Sequence, residues 1–535
     1  MATSYEMKST GGHGREQEVD NEVVKNGMID HEEGQDHYDR APADREDMHR
    51  MNKKQELRRN FRFLSIFGYS LILGNGWVYS LTGAIAPLTN GGTAGGIWMY
   101  LIVIIGMCFS TLSMAEMASM APTAGGQYHW VSEFAPREHQ RFLSYLTGWL
   151  CVLGWQTGLC ATAYGAALAL QGMIAINHAD YAVPQWQGCV LTIAVVLITI
   201  FFNTVFLRRL PLFEGVMLAI HVMGFFAIFI IMWVMGDKSP TKQVWTEFAD
   251  PSGWGSYGVA TLVGSLGASG ALLGSDSAAH LAEELKDAAW VPPRSMVATA
   301  AVNYSLTFIM VVTFMTVNGG DLDQLLGTSY AQPYVQILYN VTQSKAGGTG
   351  LTFIIFILTM FGTVNQVTTA SRQLWSFARD RGLPFSSYLS HVRPGWDVPL
   401  NAITLTLVFA LIISFIILGS PVAVFTLSSI SVSGLYSSYI ICVGCVAWRR
   451  IKGQPLLPSR FSLGKAGLAI NLIALAFLSV QWIFLFFPTA PHPTAPNFNW
   501  TCLIFGVAVV WSLAYYYLWG KKEYQGPVEY VRKGE

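Results

Sequence analysis

Gly264-Ser265-Leu266-Gly267-Ala268-Ser269-Gly270-Ala271-Leu272-Leu273-Gly274-Ser275-Asp276 is an apolar run that carries four glycines and ends on an acid. One glycine inside a helix already costs about 1 kcal/mol relative to alanine. Leu71-Ile72-Leu73-Gly74-Asn75-Gly76-Trp77 repeats the pattern earlier in the chain. Either cluster alone would be read as small residues that let helices pack closely, which is common in membranes. Their positions decide otherwise. They fall in the first and the sixth long apolar runs, five apart, and paired interruptions in two halves of a chain point to a site built on inverted repeats.

The rest of the chain fits that frame. It has 535 residues, 52% hydrophobic and 12% charged, whereas soluble domains are about 25% charged. A span needs about 20 apolar residues. Twelve such runs are found, at 63–88, 96–119, 143–172, 186–207, 211–235, 257–282, 296–317, 349–378, 400–419, 421–447, 466–488 and 499–519. In lipid, each backbone group must bond internally, so these runs are expected to be helices. With the N-terminus placed in the cytoplasm, inner flanks carry 24 Lys and Arg, and the outer loops only Lys238, Lys242 and Lys345. This split supports an even span count with both termini cytoplasmic.

Residues 1–60 are polar and acidic, the composition of a disordered tail. They lack the apolar core of a signal peptide. A transporter domain is expected over 61–520, with repeat one at 61–236, repeat two at 257–447 and two further helices within 466–519. A short cytoplasmic tail at 521–535 follows. Cys442 and Cys445 have metal-site spacing but lie in an apolar span without a second ligand pair. They are read as small hydrophobes. No nucleophile–base set, phosphate loop or metal cluster is found, so no enzyme, cofactor or metal is expected. Nucleic acid is not expected as a partner either.

Three stretches carry a family likeness. The first is Glu116-Met-Ala-Ser-Met-Ala-Pro122-Thr-Ala-Gly125-Gly126-Gln127-Tyr128, after the second span. The second is Gly274-Ser275-Asp276-Ser-Ala-Ala-His280-Leu-Ala-Glu283-Glu284-Leu, leaving the sixth. The third is Ser376-Phe-Ala-Arg379-Asp380-Arg-Gly382-Leu-Pro384, followed by Val398-Pro399-Leu-Asn401-Ala402. In this order they resemble the amino acid–polyamine–organocation superfamily, and within it the fungal branch of amino acid, GABA and choline permeases. The resemblance covers about 60 to 520. It implies an all-α integral membrane protein of twelve transmembrane helices. The fold would be a five-plus-five inverted repeat (LeuT-like), with spans 1 and 6 interrupted and spans 11 and 12 added. It implies transport without chemistry on the solute.

The likeness also implies site residues. Amides freed at Gly74, Asn75 and Gly76 would meet a substrate carboxylate, since helix N-termini attract anions. Trp77 could cover a cation or simply pack. In the sixth span, Ser269, Gly270, Ala271 and Gly274 are candidate liners. Family members often carry a large aromatic near position 270, and here Gly270 leaves that place empty. The cavity should therefore be wider, or be lidded by Trp155 or Tyr164 from the third span. Asp276 would bind an ammonium or cap the broken helix, as an acid in a membrane needs water or a partner. Asn365 and Gln366, with Thr363, Thr368 and Thr369, are polar at depth in the eighth span. Glu283 and Glu284 are expected in gate salt bridges with Arg379 or Arg62. Glu116 and His221 are coupling or gating candidates, His221 because histidine changes charge near neutral pH; a packing role is its rival. No sodium ligand set is evident, so protons are the expected coupling ion.

Two sequons lie in outer segments, Asn340-Val-Thr342 and Asn499-Trp-Thr501, the second close to the membrane. The function expected is secondary transport of a small amine-bearing solute such as an amino acid, GABA or choline. An exchanger, a facilitator or a permease-like nutrient sensor are the alternatives. The expected setting is lipid, most simply the plasma membrane, with trafficking or ubiquitin machinery at the tails.

Overall fold

A computed structural model describes residues 57, 59, 61–206, 209–318, 322–392, 398–419, 422–524, 526 and 527. Nearly all of the expected N-terminal tail, and the end of the C-terminal one, lie outside them. Among the described residues, eleven helices are long and apolar enough to cross a membrane. In chain order they are α1 (Phe63–Thr89), α2 (Gly92–Met120), α3 (Gln140–Asn177), α4 (Gln185–Thr204) and α5 (Leu210–Met235). After α6 come α7 (Val291–Thr316), α8 (Lys345–Arg379), α9 (Leu400–Gly419), α10 (Ala423–Ile451), α11 (Gly464–Phe484) and α12 (Thr501–Glu523). The sixth segment, α6 (Tyr257–Ala271), is only 15 residues because it breaks at its glycines. The long connections are not bare loops. Short helices fill them at Gln127–Phe134, Leu322–Leu326 and Pro333–Thr342.

Position in the bundle follows composition. α1 and α10 are the most enclosed, with 78% and 83% of their apolar windows buried. Their polar and small residues can therefore face protein rather than lipid. α12 has 17% buried, and its exposed Leu503, Val507, Val510 and Trp511 form an apolar outer surface. Such a surface suits lipid tails. Glycosyl transfer to Asn499 is sterically barred, since its amide is buried and donates to the Leu485 and Phe487 carbonyls.

The loops rich in Lys and Arg define one face, called here the basic face. There the chain before α1 pairs with the chain after α6. Phe61 N–H donates to the Glu284 carbonyl at 3.1 Å, and Lys286 N–H to the Phe61 carbonyl at 3.3 Å. Arg59 reaches the Leu285 carbonyl. The segment that follows α12 docks on the same face. α12 runs to Glu523, beyond its expected end, and Tyr524 behind it is fully buried. Its hydroxyl bonds Ser144 at 2.6 Å, and its ring lies 5.3 Å from Tyr145 and 5.8 Å from Phe377.

Candidate substrate site and gate

The two breaks meet. α1 is interrupted at Asn75, whose φ of 37° and ψ of 40° are left-handed, a conformation that asparagine tolerates better than most residues. α6 ends at Ala271, and the chain turns at Gly274 with φ 97°. A Cβ on Gly274 would lie 2.5 Å from Leu73 and 3.4 Å from the Gly74 Cα. A side chain at position 274 would hold the two breaks apart.

The amides expected to await a carboxylate are already engaged. Gly76 N–H donates to Asn303 Oδ1 of α7 at 2.8 Å, and Asn75 N–H donates to the Leu71 carbonyl at 2.8 Å. Gly74 packs on the Asn303 side chain. Trp77 is buried against α5, its ring 5.9 Å from Phe225, and its Nε1–H donates to His221 Nε2 at 3.2 Å. That bond leaves the hydrogen of a neutral His221 on Nδ1, where it donates to Asn75 Oδ1 at 3.1 Å. Both nitrogens are satisfied, so the packing role of His221 is the one its surroundings favour. Gly74, Asn75, Gly76 and Trp77 do not line the cavity.

The cavity lies one turn further along α1. It has a volume of about 450 Å³ and is lined by Tyr79 and Thr82 of α1 and Trp155, Thr162 and Tyr164 of α3. Gly270, Ala271 and Gly274 contribute from the α6 region, Gln366 from α8, and Phe425 and Ser431 from α10. Trp155, Tyr164, Gly270, Ala271 and Gly274 were foreseen as liners; Tyr79, Thr162, Phe425 and Ser431 were not. A Cβ on Gly270 would meet nothing within 4 Å, which agrees with the wider cavity inferred from the missing aromatic. Asn90, Gln332, Val422 and Thr489 rim it on the face away from the basic loops. Among the described residues, no Asp, Glu, Lys, Arg or His lines the cavity. Polar contacts come from neutral groups. Gln366 Nε2 donates to Thr162 Oγ1 at 2.9 Å, while its buried Oε1 has no partner. Tyr79 lies beside both residues and beside Asn75.

Three other candidates sit elsewhere. Ser269 is buried beside Tyr436 of α10. Asn365 faces away from the cavity, donating through Nδ2 to Glu214 Oε2 (3.1 Å) and to the Tyr69 carbonyl (3.2 Å). Asp276 is wholly buried below the break and makes no side-chain cap. It accepts from Gln127 Nε2 at 2.6 Å, and His280 Nε2 lies 3.8 Å away. The cap expected of Asp276 is not made here, and its carboxylate does not line the cavity. Of the polar row on α8, Thr363 bonds back to the Thr359 carbonyl, Thr368 to Asn203, and Thr369 to Tyr69.

Below the cavity the basic face is shut by two ion pairs. Arg379 grips Glu283 through both terminal guanidinium nitrogens at 2.7 Å. Glu283 also accepts from Ala124 N–H at 3.3 Å. Glu284 pairs with Arg372 at 2.9 Å rather than with Arg379 or Arg62. Together they bind the chain after α6 to α8.

Glu116 is no part of this gate. It accepts from Arg450 Nη2 at 2.6 Å and from Leu463 N–H at 2.9 Å, clamping α2 to the end of α10 and the α10–α11 loop. Removing one partner of a buried pair costs about 3–5 kcal/mol. Glu116→Ala is therefore expected to lower the thermal unfolding midpoint of the detergent-solubilised protein by several degrees. Solute affinity in the folded fraction should be unchanged. A full loss of affinity at normal stability would show that Glu116 serves the cavity instead.

A helical membrane bundle with a solvent-reaching cavity above paired helix breaks, closed on the opposite face by ion pairs, is the architecture of a membrane carrier. The chain belongs to the amino acid permease family, whose profile matches residues 63–509. It is 29% identical to an uncharacterized amino-acid permease of Schizosaccharomyces pombe over 92% of this chain and 91% of that protein. It is 30% identical to the choline transporter of Saccharomyces cerevisiae, over 88% and 83%. With the GABA-specific permease of the same yeast it shares 29% identity, over 89% and 84%. It is thus a multi-pass membrane transporter of amino-acid-like solutes and not an enzyme.

Proposed function

We propose that the protein is a proton-coupled symporter that brings a small amine-bearing solute into the cell across the plasma membrane. Both termini are cytoplasmic in this reading, and the basic face is the inner one. The conformation is then open outward, since Asn90, Gln332, Val422 and Thr489 rim the cavity on the opposite face. The observation that carries the proposal is the uncharged cavity bordered by Tyr79, Trp155, Tyr164 and Phe425. Aromatic faces attract ammonium groups by about 0.5–2 kcal/mol, and quaternary ammonium is recognised this way. A zwitterion or a choline-like cation needs no opposing carboxylate in such a site. The choline and GABA specificities in the names of two relatives point to the same solute class.

Transport follows if solute and proton each bind one gate state better than the other, since a ligand without such preference drives nothing. The test is uptake of labelled choline, GABA and a set of amino acids by cells expressing the chain, at acid and neutral pH, with and without a protonophore. Accumulation of one amine that collapses with the protonophore is the expected result. Equilibration that ignores the protonophore would reject proton coupling. Binding without uptake, at normal surface expression, would reject transport altogether.

A further inference from the structure

Glu214 lies one turn into α5, 1% exposed, in a place that no cavity or gate uses. Its Oε2 accepts from Asn365 Nδ2 at 3.1 Å, and among the described residues its Oε1 has no hydrogen-bond partner. No described cation approaches it. On α1 it faces Tyr69, whose hydroxyl is taken by the Asn365 carbonyl and Thr369, each at 2.7 Å. On α8 the nearest charge is Arg372, which Glu284 holds at 2.9 Å. α7 and the Pro333–Thr342 helix also pack on α5. Between them they carry only Arg294 as a charged group, stacked 3.4 Å over Trp290. On α5 itself, His221 is two turns away with both nitrogens engaged, and Arg209 before the helix is exposed.

An ionised carboxylate in such a place would lose its hydration and gain a single neutral hydrogen bond. Burial of an unpaired charge is avoided by taking up a proton. Glu214 also sits where α1, α5 and α8 meet, through Asn365, which touches all three. We propose that Glu214 is the carboxyl that binds and releases the coupling proton. It is protonated in the conformation seen here. When α1 and α8 part on the basic face, Asn365 and Tyr69 withdraw and water reaches the carboxyl. The O–H bond then breaks, the proton passes to water, and the carboxylate is left hydrated.

This rests on the proton-coupled reading above, and the experiment separates the two. Full-length wild type and Glu214→Gln are reconstituted in vesicles and given labelled choline, then labelled GABA, under an acid-outside gradient. With one proton per solute, a gradient of one pH unit sustains up to about tenfold accumulation. Wild type is expected to accumulate one of the two probes and to lose the gain with a protonophore. Glu214→Gln is expected to bring the same probe to about onefold, with counterflow exchange intact and no longer pH-dependent. Intact exchange shows that the variant is folded. Accumulation by Glu214→Gln at the wild-type level overturns the assignment. A wild type that is indifferent to the protonophore overturns proton coupling, and the role of Glu214 in it. Infrared difference spectra between neutral and alkaline pH read the carboxyl directly. A protonated-carboxyl band present in wild type and missing from Glu214→Gln supports the proton site, and identical bands refute it.

Discussion

Arg379→Ala is expected to throw the resting equilibrium toward the conformation that is open on the basic face. Arg379 contributes two of the bonds that hold Glu283, and Glu283 is 1% exposed. Taking away the guanidinium strips that buried carboxylate of two charge-assisted bonds, and breaking a buried ion pair costs about 3–5 kcal/mol. The cost applies only while the face is shut, because opening hydrates Glu283. At about 1.4 kcal/mol per decade, the equilibrium moves by at least a hundredfold. Cys151 reports the change. It is buried just inside the closure, with its Sγ 3.8 Å from Gln127 Oε1. A thiol reagent applied from the basic face should label Cys151 in Arg379→Ala and spare it in wild type. Cys151→Ser removes the signal and identifies it. The exchanged pair Glu283→Arg with Arg379→Glu should restore protection in part. Wild-type labelling of Arg379→Ala would mean that Glu284 and Arg372 alone keep the face closed.

Gly270→Trp should divide solutes by size. An indole of about 150–250 Å² would project into a cavity of about 450 Å³. Nothing stands within 4 Å of the added Cβ, so the fold should accept it. Overfilling a site costs about 1–3 kcal/mol, or roughly 5- to 150-fold in affinity. That loss should fall on the bulkier amines, with the smallest ones changing little. Gly267→Ala, three residues earlier on the same helix, is the contrast. Its Cβ would lie 2.8 Å from the Gly83 carbonyl, so it should harm the fold and transport of every solute alike. Equal losses for large and small amines in Gly270→Trp would show that position 270 acts on helix packing and not on cavity width.

The breaks, the span count and the Glu283–Arg379 pair were legible because each leaves a chemical trace: glycine in a helix, apolar length, charge at an interface. The breaks were placed within α1 and at the end of α6, and Arg379 was one of two partners offered for Glu283 and Glu284. The liners were harder. A helix enclosed on all sides is apolar all round, so hydropathy does not say which side meets the cavity. Tyr79 could have been found. It follows Asn75 by four residues and is continued by Thr82, Gly83, Ala86 and Asn90, the spacing of one helix face. Gln366 and Asn365 show the limit. One step along α8 turns the first into the cavity and the second toward Glu214. Glu116 was offered as a coupling or gating residue and Trp77 was left between cation cover and packing, because their partners, Arg450 and His221, stand 334 and 144 residues away. No local pattern records such a meeting.

The docking of Tyr524 changes how the chain can be engineered. Its ring rests on Phe377, two residues before the arginine that grips Glu283, and Arg141 holds its carbonyl. Tyr524 is thus a keystone and not part of a free handle. A crystallisation variant trimmed ahead of Tyr524 would lose a side chain wedged between α3 and α8, and so bias the very equilibrium under study. Reporters are better spliced in after that residue.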